Sequence, residues 1–153
     1  MSFQIRRARP GDAAAIHQLE QEARAALGDA RGGPQLLAEQ PPVSAWVDVI
    51  SDATRAVWVA TIDDVVVGYL ELQLPPVDGA GIVRQVHVHP GARELGFGDW
   101  MLEAAIAEIV AGGGTVVESF ALPGDRDTKN LFERAGVTAR KIIVSKRLVQ
   151  PPT

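Results

Sequence analysis

Residues 87–110 constrain the fold more than any other segment, because they combine a strand, a glycine-containing loop and a helix. The segment reads HVHPGARELGFGDWMLEAAIAEIV. Alternating apolar residues predict a strand that closes at His89, since Pro90 restricts the residue before it to an extended conformation. Apolar residues spaced three and four apart then predict a helix over residues 99–111. A strand that leads directly into a helix is typical of α/β folds.

The loop between this strand and helix has the properties of an anion site. Gly96 and Gly98 lack β-carbons, so the backbone there can turn sharply and lie close to a ligand. The loop ends at a helix N-terminus, where unpaired N–H groups and the helix dipole favour negative charge. Arg93 adds a positive charge, although Glu94 and Asp99 beside it make the side-chain charge of the segment about −1 by simple counting. We expect a phosphate or pyrophosphate site, the alternative being a tight strand–helix turn.

Two common phosphate-binding motifs do not match this loop. The sequence contains no G-x-x-x-x-G-K-[ST] motif, which excludes a P-loop. A dinucleotide-binding fingerprint needs a third glycine at the position of Met101. The spacing that does match is [Q/R]-x-x-G-x-[G/A], which residues 93–98 fill as RELGFG.

The rest of the chain predicts alternating strands and helices in the order β-α-α-β-β-β-α-β-α-β. The clearest hairpin, residues 56–76, turns at Asp63-Asp64. Its second strand is expected to place Val67, Tyr69, Glu71 and Gln73 on one face and Val66, Leu70, Leu72 and Leu74 on the other. We predict a single domain over residues 1–149 and a short tail over 150–153. The remaining predicted elements are strands at 3–8, 82–89, 115–122 and 139–149, a helix after Asp12, a short helix at 45–50, and a loop with a short helix at 123–136.

Composition excludes several classes of function. The chain has no cysteine, which removes disulfides, thiolate metal sites and a cysteine nucleophile. His87 and His89 lie two apart, but without cysteine or clustered carboxylates we expect no metal site. The formal net charge is −4, which argues against nucleic-acid binding. We find neither a signal peptide nor a membrane-spanning apolar segment, and expect a cytoplasmic protein with no membrane partner.

The string VHVHPGARELGFGDWMLEAA and the order of elements resemble the GNAT acetyltransferase superfamily. In that family V-H-P followed by R-x-x-G-x-G is common and binds acetyl-coenzyme A. The resemblance covers most of the chain. It implies the acyl-CoA N-acyltransferase fold: an α/β structure with a mixed, mainly antiparallel sheet and helices on both faces.

A second family motif, N-x-x-A-x-x-L-Y-x-x-x-G-F, matches residues 125–137 in part. Leu131 and Gly136 agree with it, whereas Phe132 replaces the tyrosine that often protonates the departing thiolate. Phenylalanine cannot donate a proton, so water, Ser119 or another donor must replace this acid if the chain is catalytic. The resemblance implies that the following residues contact the cosubstrate: Val86, His87 and Val88 the pantetheine arm, Arg93, Glu94, Leu95, Gly96, Phe97 and Gly98 the pyrophosphate, and Asp125, Thr128, Asn130 and Phe132 the arm again.

The general base is not determined by the sequence. Some family members have a glutamate on the strand before the loop, where this chain has Ile82 and Arg84. His87 and Glu71 are the candidates that we retain, with Glu118 as a further possibility. Histidine suits the role best because its ordinary pKa lies near neutrality.

The resemblance implies transfer of an acetyl group from acetyl-coenzyme A to a primary amine of a small molecule or peptide. Without a cysteine nucleophile, we expect direct attack in a ternary complex. The alternative is a non-catalytic acyl-coenzyme A binding or regulatory module on the same fold, which the missing tyrosine favours. A homodimer paired through the strand at 139–149 is a further expectation, by analogy with the family.

Overall fold

The computed structural model describes residues 1–76, 79–146 and 148–149, and its centre is one five-stranded sheet. The strands follow sequence order across the sheet, β1-β2-β3-β4-β5. The first three pairings are antiparallel, and β4 pairs with β5 in parallel. The strands are β1 Phe3–Arg7, β2 Arg55–Ile62, β3 Val65–Gln73, β4 Ala80–Val88 and β5 Val116–Glu118.

Helices cover both faces of this sheet, as the sequence predicts. On one face, α1 and α3 enclose a core that includes Ile16, Trp46 and Tyr69. On the other, α4 covers a larger core that includes Leu70, Met101 and Phe132. The described helices are α1 Ala13–Leu27, α2 Gly33–Glu39, α3 Trp46–Ser51, α4 Phe97–Ala111 and α5 Arg126–Arg134.

The predicted hairpin turn is confirmed, but a bulge corrects the predicted faces of β3. Asp63 and Asp64 have φ values of 47° and 67°, as the tight turn between two twisted strands requires. The register shifts between Ala60 and Thr61, which leaves Val67 as an extra residue in β3. Val67 therefore packs into the α4-side core and Val66 into the α1-side core, the reverse of the alternation that we predicted.

A second bulge lies in β4. Glu71 pairs with Gln85 and Leu72 with Val83, so Arg84 is the extra residue. The bulge interrupts strict alternation along β4. Gln85, which pairs with Glu71 before the bulge, joins Tyr69 and Glu71 in one hydrogen-bonded cluster.

Three predicted segments differ from the structure. Residues 33–39, where we predicted no helix, form α2. The strand predicted at 115–122 is ordered as β5 only over Val116–Glu118. The strand predicted at 139–149 is wrong for residues 139–146 and 148–149, which have no strand pairing. Ile142, Ile143 and Val144 are more than four-fifths exposed, because β-branched composition does not make a strand without a hydrogen-bonding neighbour.

The short β5 creates the opening in the fold. β5 pairs with β4 only at residues 80–82 and then leaves it. Residues 84–88 of β4 therefore have β3 on one side and no strand partner among the described residues on the other. This splay between β4 and the chain after β5 exposes a free backbone edge.

Candidate active site

The glycine loop delivers unpaired amides to the splay. A 3-10 turn at Pro90–Ala92 follows β4, and Gly96 precedes α4 with a φ of 84°. This left-handed conformation suits glycine. Trp100 donates to the Gly96 carbonyl, whereas the amides of residues 97–99 have no acceptor within the described ranges. The first turn of α4 thus presents three free N–H groups.

Charged side chains of this loop are paired with α5. Arg93 Nη1 donates to Asp127 Oδ2 at 3.2 Å, and Arg93 Nε donates to the Val88 carbonyl. Asp99 accepts two hydrogen bonds from Arg134. Arg134 therefore balances the negative charge of Asp99. The count of side-chain charges over the loop did not include Arg134.

The second motif contributes a capped helix. Asp125 accepts hydrogen bonds from the Thr128 amide and from the Thr128 hydroxyl, so it caps α5. Asn130 is exposed. Phe132 is only 6% exposed and belongs to the α4-side core, so a hydroxyl at this position would lie among apolar side chains.

A cleft occupies the splay and extends beneath the first two helices. It encloses about 750 Å³, a volume that includes its open mouth. Its polar lining comes from elements far apart in sequence: Arg24 of α1, Gln40 after α2, Tyr69 of β3, Arg84 and Gln85 of β4, Ser119 after β5, and Asp125 and Thr128 at α5. Val86 also lines the cleft.

A buried hydrogen-bonded cluster forms the floor of this cleft. The Tyr69 hydroxyl donates to Gln85 Oε1 at 2.6 Å. Gln85 Nε2 in turn donates to Glu20 and Glu71. Arg55 forms an ion pair with Glu71. Every member fixes the orientation of the next, which holds the Tyr69 hydroxyl in place.

Burial sets the protonation of two members of this cluster. Desolvation, with the nearby charges of Glu20 and Glu71, raises the pKa of Tyr69 far above its usual range. Tyr69 therefore keeps its proton at neutral pH. Desolvation also raises the pKa of Glu71, opposed chiefly by Arg55.

His87 lies on the same face of the sheet, beside α1. Its Nε2 is 3.4 Å from Glu22 Oε2, an ion-pair distance without a hydrogen bond, whereas His89 Nδ1 is 2.7 Å from Glu22 Oε1. The His87 side chain is 9% exposed. Burial lowers the pKa of His87 below its ordinary value, although Glu22 opposes this effect. The His87 ring is therefore mainly neutral at pH 7.

The structure brings together only some of the residues singled out in the sequence. His87, Glu71 and Tyr69 share one face of the sheet, whereas Glu118 is exposed on β5. Sequence reasoning missed Glu20, Glu22 and Gln85. The apolar spacing of α1 predicts a buried face, and Glu20 is 1% exposed, directly after the core residue Leu19. That local pattern is the one signal that indicated a buried carboxylate.

Comparison with known proteins identifies the family. The profile of the acetyltransferase (GNAT) family matches residues 14–137 of this chain. The chain belongs to this family. The match spans α1 to the end of the second motif and includes the glycine loop. No curated protein sequence is significantly similar to the chain.

Solved structures share the fold at low sequence identity. A variant of the BH1408 protein from Bacillus halodurans superposes with a TM-score of 0.79 at 15% identity, covering 95% of this chain and 99% of that one. The aminoglycoside acetyltransferase AAC(6')-Iy, in complex with a coenzyme A bisubstrate analogue, has a TM-score of 0.70 at 16% identity, covering 97% and 100%. An acetyltransferase from Clostridium acetobutylicum, described as predicted and solved with acetyl-CoA, has a TM-score of 0.69 at 11% identity, covering 95% and 96%. These likenesses show that the GNAT fold prediction is correct.

Among residues 1–76, 79–146 and 148–149, no three histidine or acidic side chains are grouped to hold a metal ion. In the same ranges, no helix is both long enough and apolar enough to cross a membrane.

Proposed function

We propose that this GNAT protein transfers an acetyl group from acetyl-coenzyme A to a primary amine of a small molecule or peptide, by direct attack in a ternary complex. The observation that carries the proposal is a free helix N-terminus beside the β4 splay. The amides of residues 97–99 lack acceptors among the described residues, and a cleft with some polar side chains in its mainly apolar lining runs along β4. An extended anionic ligand would accept hydrogen bonds from these amides and occupy the cleft.

The residues of the splay fit coenzyme A. Amides of residues 97–99 and Arg93 would bind the pyrophosphate, and the space around Gly96 is open because a β-carbon there would meet nothing within 4 Å. The free edge of β4 at Val86–Val88 would hold the pantetheine arm, with Asp125 and Thr128 lining the cleft. The other residues that the motifs imply, Glu94, Leu95, Phe97, Gly98, Asn130 and Phe132, remain predictions.

Acetyl-coenzyme A supplies the acetyl group as an activated thioester. The chain must remove a proton from the acceptor amine and provide one to the departing sulfur. We assign the first task to neutral His87, because burial keeps its pKa low. We assign the second to Tyr69, whose hydroxyl lines the cleft and would turn from Gln85 to protonate the sulfur.

Glu71 is proposed as a positioning residue. Its carboxylate is already held by Arg55 and Gln85, whereas His87 Nε2 has no hydrogen-bond partner among the described residues. Through Gln85 it orients the Tyr69 hydroxyl. The sequence candidate Glu71 would then act on the reaction through other side chains.

The alternative, a non-catalytic acyl-coenzyme A binding module, is favoured by one observation. Phe132 lies in the core and provides no acid at the usual position of the family. Thiol release from acetyl-coenzyme A, measured over a broad panel of primary amines, separates the two. We expect release with at least one amine and an acetylated product by mass spectrometry. Tight binding of acetyl-coenzyme A with no release across the panel would favour the binding module instead.

A further inference from the structure

The cleft wall contains two arginines that the proposed reaction does not use. Arg24 comes from α1 and Arg84 from the bulge of β4, and both line the cleft. Arg24 donates to the carbonyls of Leu37 and Gln40, and Arg84 donates to Gln73 Oε1. In the described part of the chain, neither guanidinium lies within 4.0 Å of a carboxylate.

The carboxylates close to these arginines already have partners. Glu20 accepts from the Val43 amide, Trp46 Nε1 and Gln85. Glu71 is bound to Arg55 and Gln85, and Asp125 caps α5. Glu20 and Glu71 are also buried behind the wall. The charged side chains that line the cleft are two arginines and one carboxylate, Asp125, so the wall is net positive although the chain as a whole has a net charge of −4.

This arrangement points to the chemistry of the acceptor. An arginine fork binds a carboxylate with two parallel hydrogen bonds, and Arg84 already shares only one N–H group with Gln73. A polycation would meet uncompensated positive charge at Arg24 and Arg84. The cleft of this chain therefore lacks the negative charge that a polycationic acceptor such as an aminoglycoside would need.

We propose that the acceptor is a small amine that also carries a carboxylate, an amino-acid-like molecule, with Arg84 binding the carboxylate and Arg24 adding positive charge. The proposal rests on the cleft being the acceptor site of the proposed acetyl transfer.

The test compares matched acceptors in the thiol-release assay. The panel contains L-amino acids, their amides, the matching decarboxylated amines, and one aminoglycoside. A charge-assisted hydrogen bond of ordinary strength corresponds to about a 10- to 100-fold preference in kcat/KM for the amino acid over its amide. Arg84→Gln should remove that preference by raising the acceptor KM, with the KM for acetyl-coenzyme A unchanged. Arg84→Lys should restore part of it.

The control variant is Arg140→Gln, because Arg140 is exposed and lies outside the cleft. It should leave both KM values unchanged. Equal or better use of the amide or aminoglycoside, with no effect of Arg84→Gln, would overturn the proposal and leave acetyl transfer standing.

A binding titration keeps the two proposals separable if no amine turns over. Amino acids and their amides are titrated by calorimetry into wild-type protein and Arg84→Gln, each saturated with coenzyme A. If amino acids bind more tightly than their amides and this difference depends on Arg84, the carboxylate site is supported. In that case only the proposal of acetyl transfer fails. No preference for the carboxylate in wild-type protein overturns the inference.

Discussion

Tyr69 is the only tyrosine of the chain, and it lines the cleft. Its hydrogen bond to Gln85 is backed by Glu20 and Glu71, so the hydroxyl is held in one orientation. The family's usual acid position is occupied by Phe132, which belongs to the core. At the scale of single residues, the proposed acid therefore lies on β3 and not on α5.

Removing the Tyr69 hydroxyl tests this assignment. Tyr69→Phe should lower kcat by ~10²-fold, the low end for a general acid, because a coenzyme A thiolate leaves fairly easily. The KM for acetyl-coenzyme A should stay unchanged, as steady-state kinetics would show. Phe132→Tyr is the comparison variant: its buried hydroxyl should cost about 1–3 kcal/mol of folding stability and bring no gain in rate. A faster chemical step in Phe132→Tyr would contradict the assignment.

His87 makes stability depend on pH. Burial lowers its pKa in the folded chain below the ordinary value near ~6.5. The unfolded chain therefore takes up the proton first as pH falls, and the stability due to neutral His87 is present above ~6.5 and lost as pH falls through the folded pKa. Urea unfolding of wild-type protein at pH 7.5 and 5.5 should show this loss, and His87→Gln should reduce it. His17→Gln, at an exposed site on α1, should show the wild-type loss; equal loss in His87→Gln would refute the mechanism.

At the scale of elements, α1 and α2 together form one side of the cleft. Arg24 of α1 binds the carbonyls of Leu37 and Gln40 at the end of α2. At the start of α2, a β-carbon on Gly33 would lie 1.6 Å from the Leu27 carbonyl oxygen. The two helices are therefore joined at both ends of α2, once by a side chain and once by a close backbone approach.

Gly33→Ala should separate α1 from α2. The clash is with backbone, which no rotamer change relieves, so we expect a loss of about 1–3 kcal/mol and a fall of several degrees in Tm. The KM for the acceptor should rise more than the KM for acetyl-coenzyme A, because α1 and α2 contribute Arg24 and neighbouring residues to the cleft. Gly28→Ala is the matched control, since its β-carbon would meet the nearest atom at 3.4 Å. Equal Tm values for the two variants would contradict this account of the helix pair.

Elements with a strong local signal were predictable from the sequence. The β4–loop–α4 segment follows from Pro90, two glycines and the apolar spacing of the helix, and the hairpin turn follows from Asp63-Asp64. The bulges at Val67 and Arg84 were not predictable, because they depend on the register of the neighbouring strand. The segment at 139–149 has β-branched residues but no pairing strand in its described part, and composition alone cannot supply one.

At the scale of the whole molecule, the site depends on contacts that are distant in sequence. The Gln85–Glu20 hydrogen bond joins residues 65 positions apart, and Ser119 donates to the Val83 carbonyl across the splay. The motifs pointed to the proposed pyrophosphate loop because its residues lie in one continuous segment. The acceptor side was not predictable, because Arg24, Tyr69 and Arg84 converge only when α1, β3 and β4 are packed together.

The measurement that tests the central claim most directly is thermal unfolding with acetyl-coenzyme A. Ligand at about 100 times its Kd should stabilise the folded chain by ~2.7 kcal/mol, a rise of several degrees in Tm. Gly98→Asp should lose this rise while folding normally, because a β-carbon at Gly98 meets Leu131 at an ordinary 3.5 Å and the carboxylate repels phosphate. Gly11→Asp, at an open site on the β1–α1 connection, should keep it. A wild-type rise that Gly98→Asp abolishes is the predicted result; no rise, or an equal rise in Gly98→Asp, would contradict the claim that this loop binds coenzyme A.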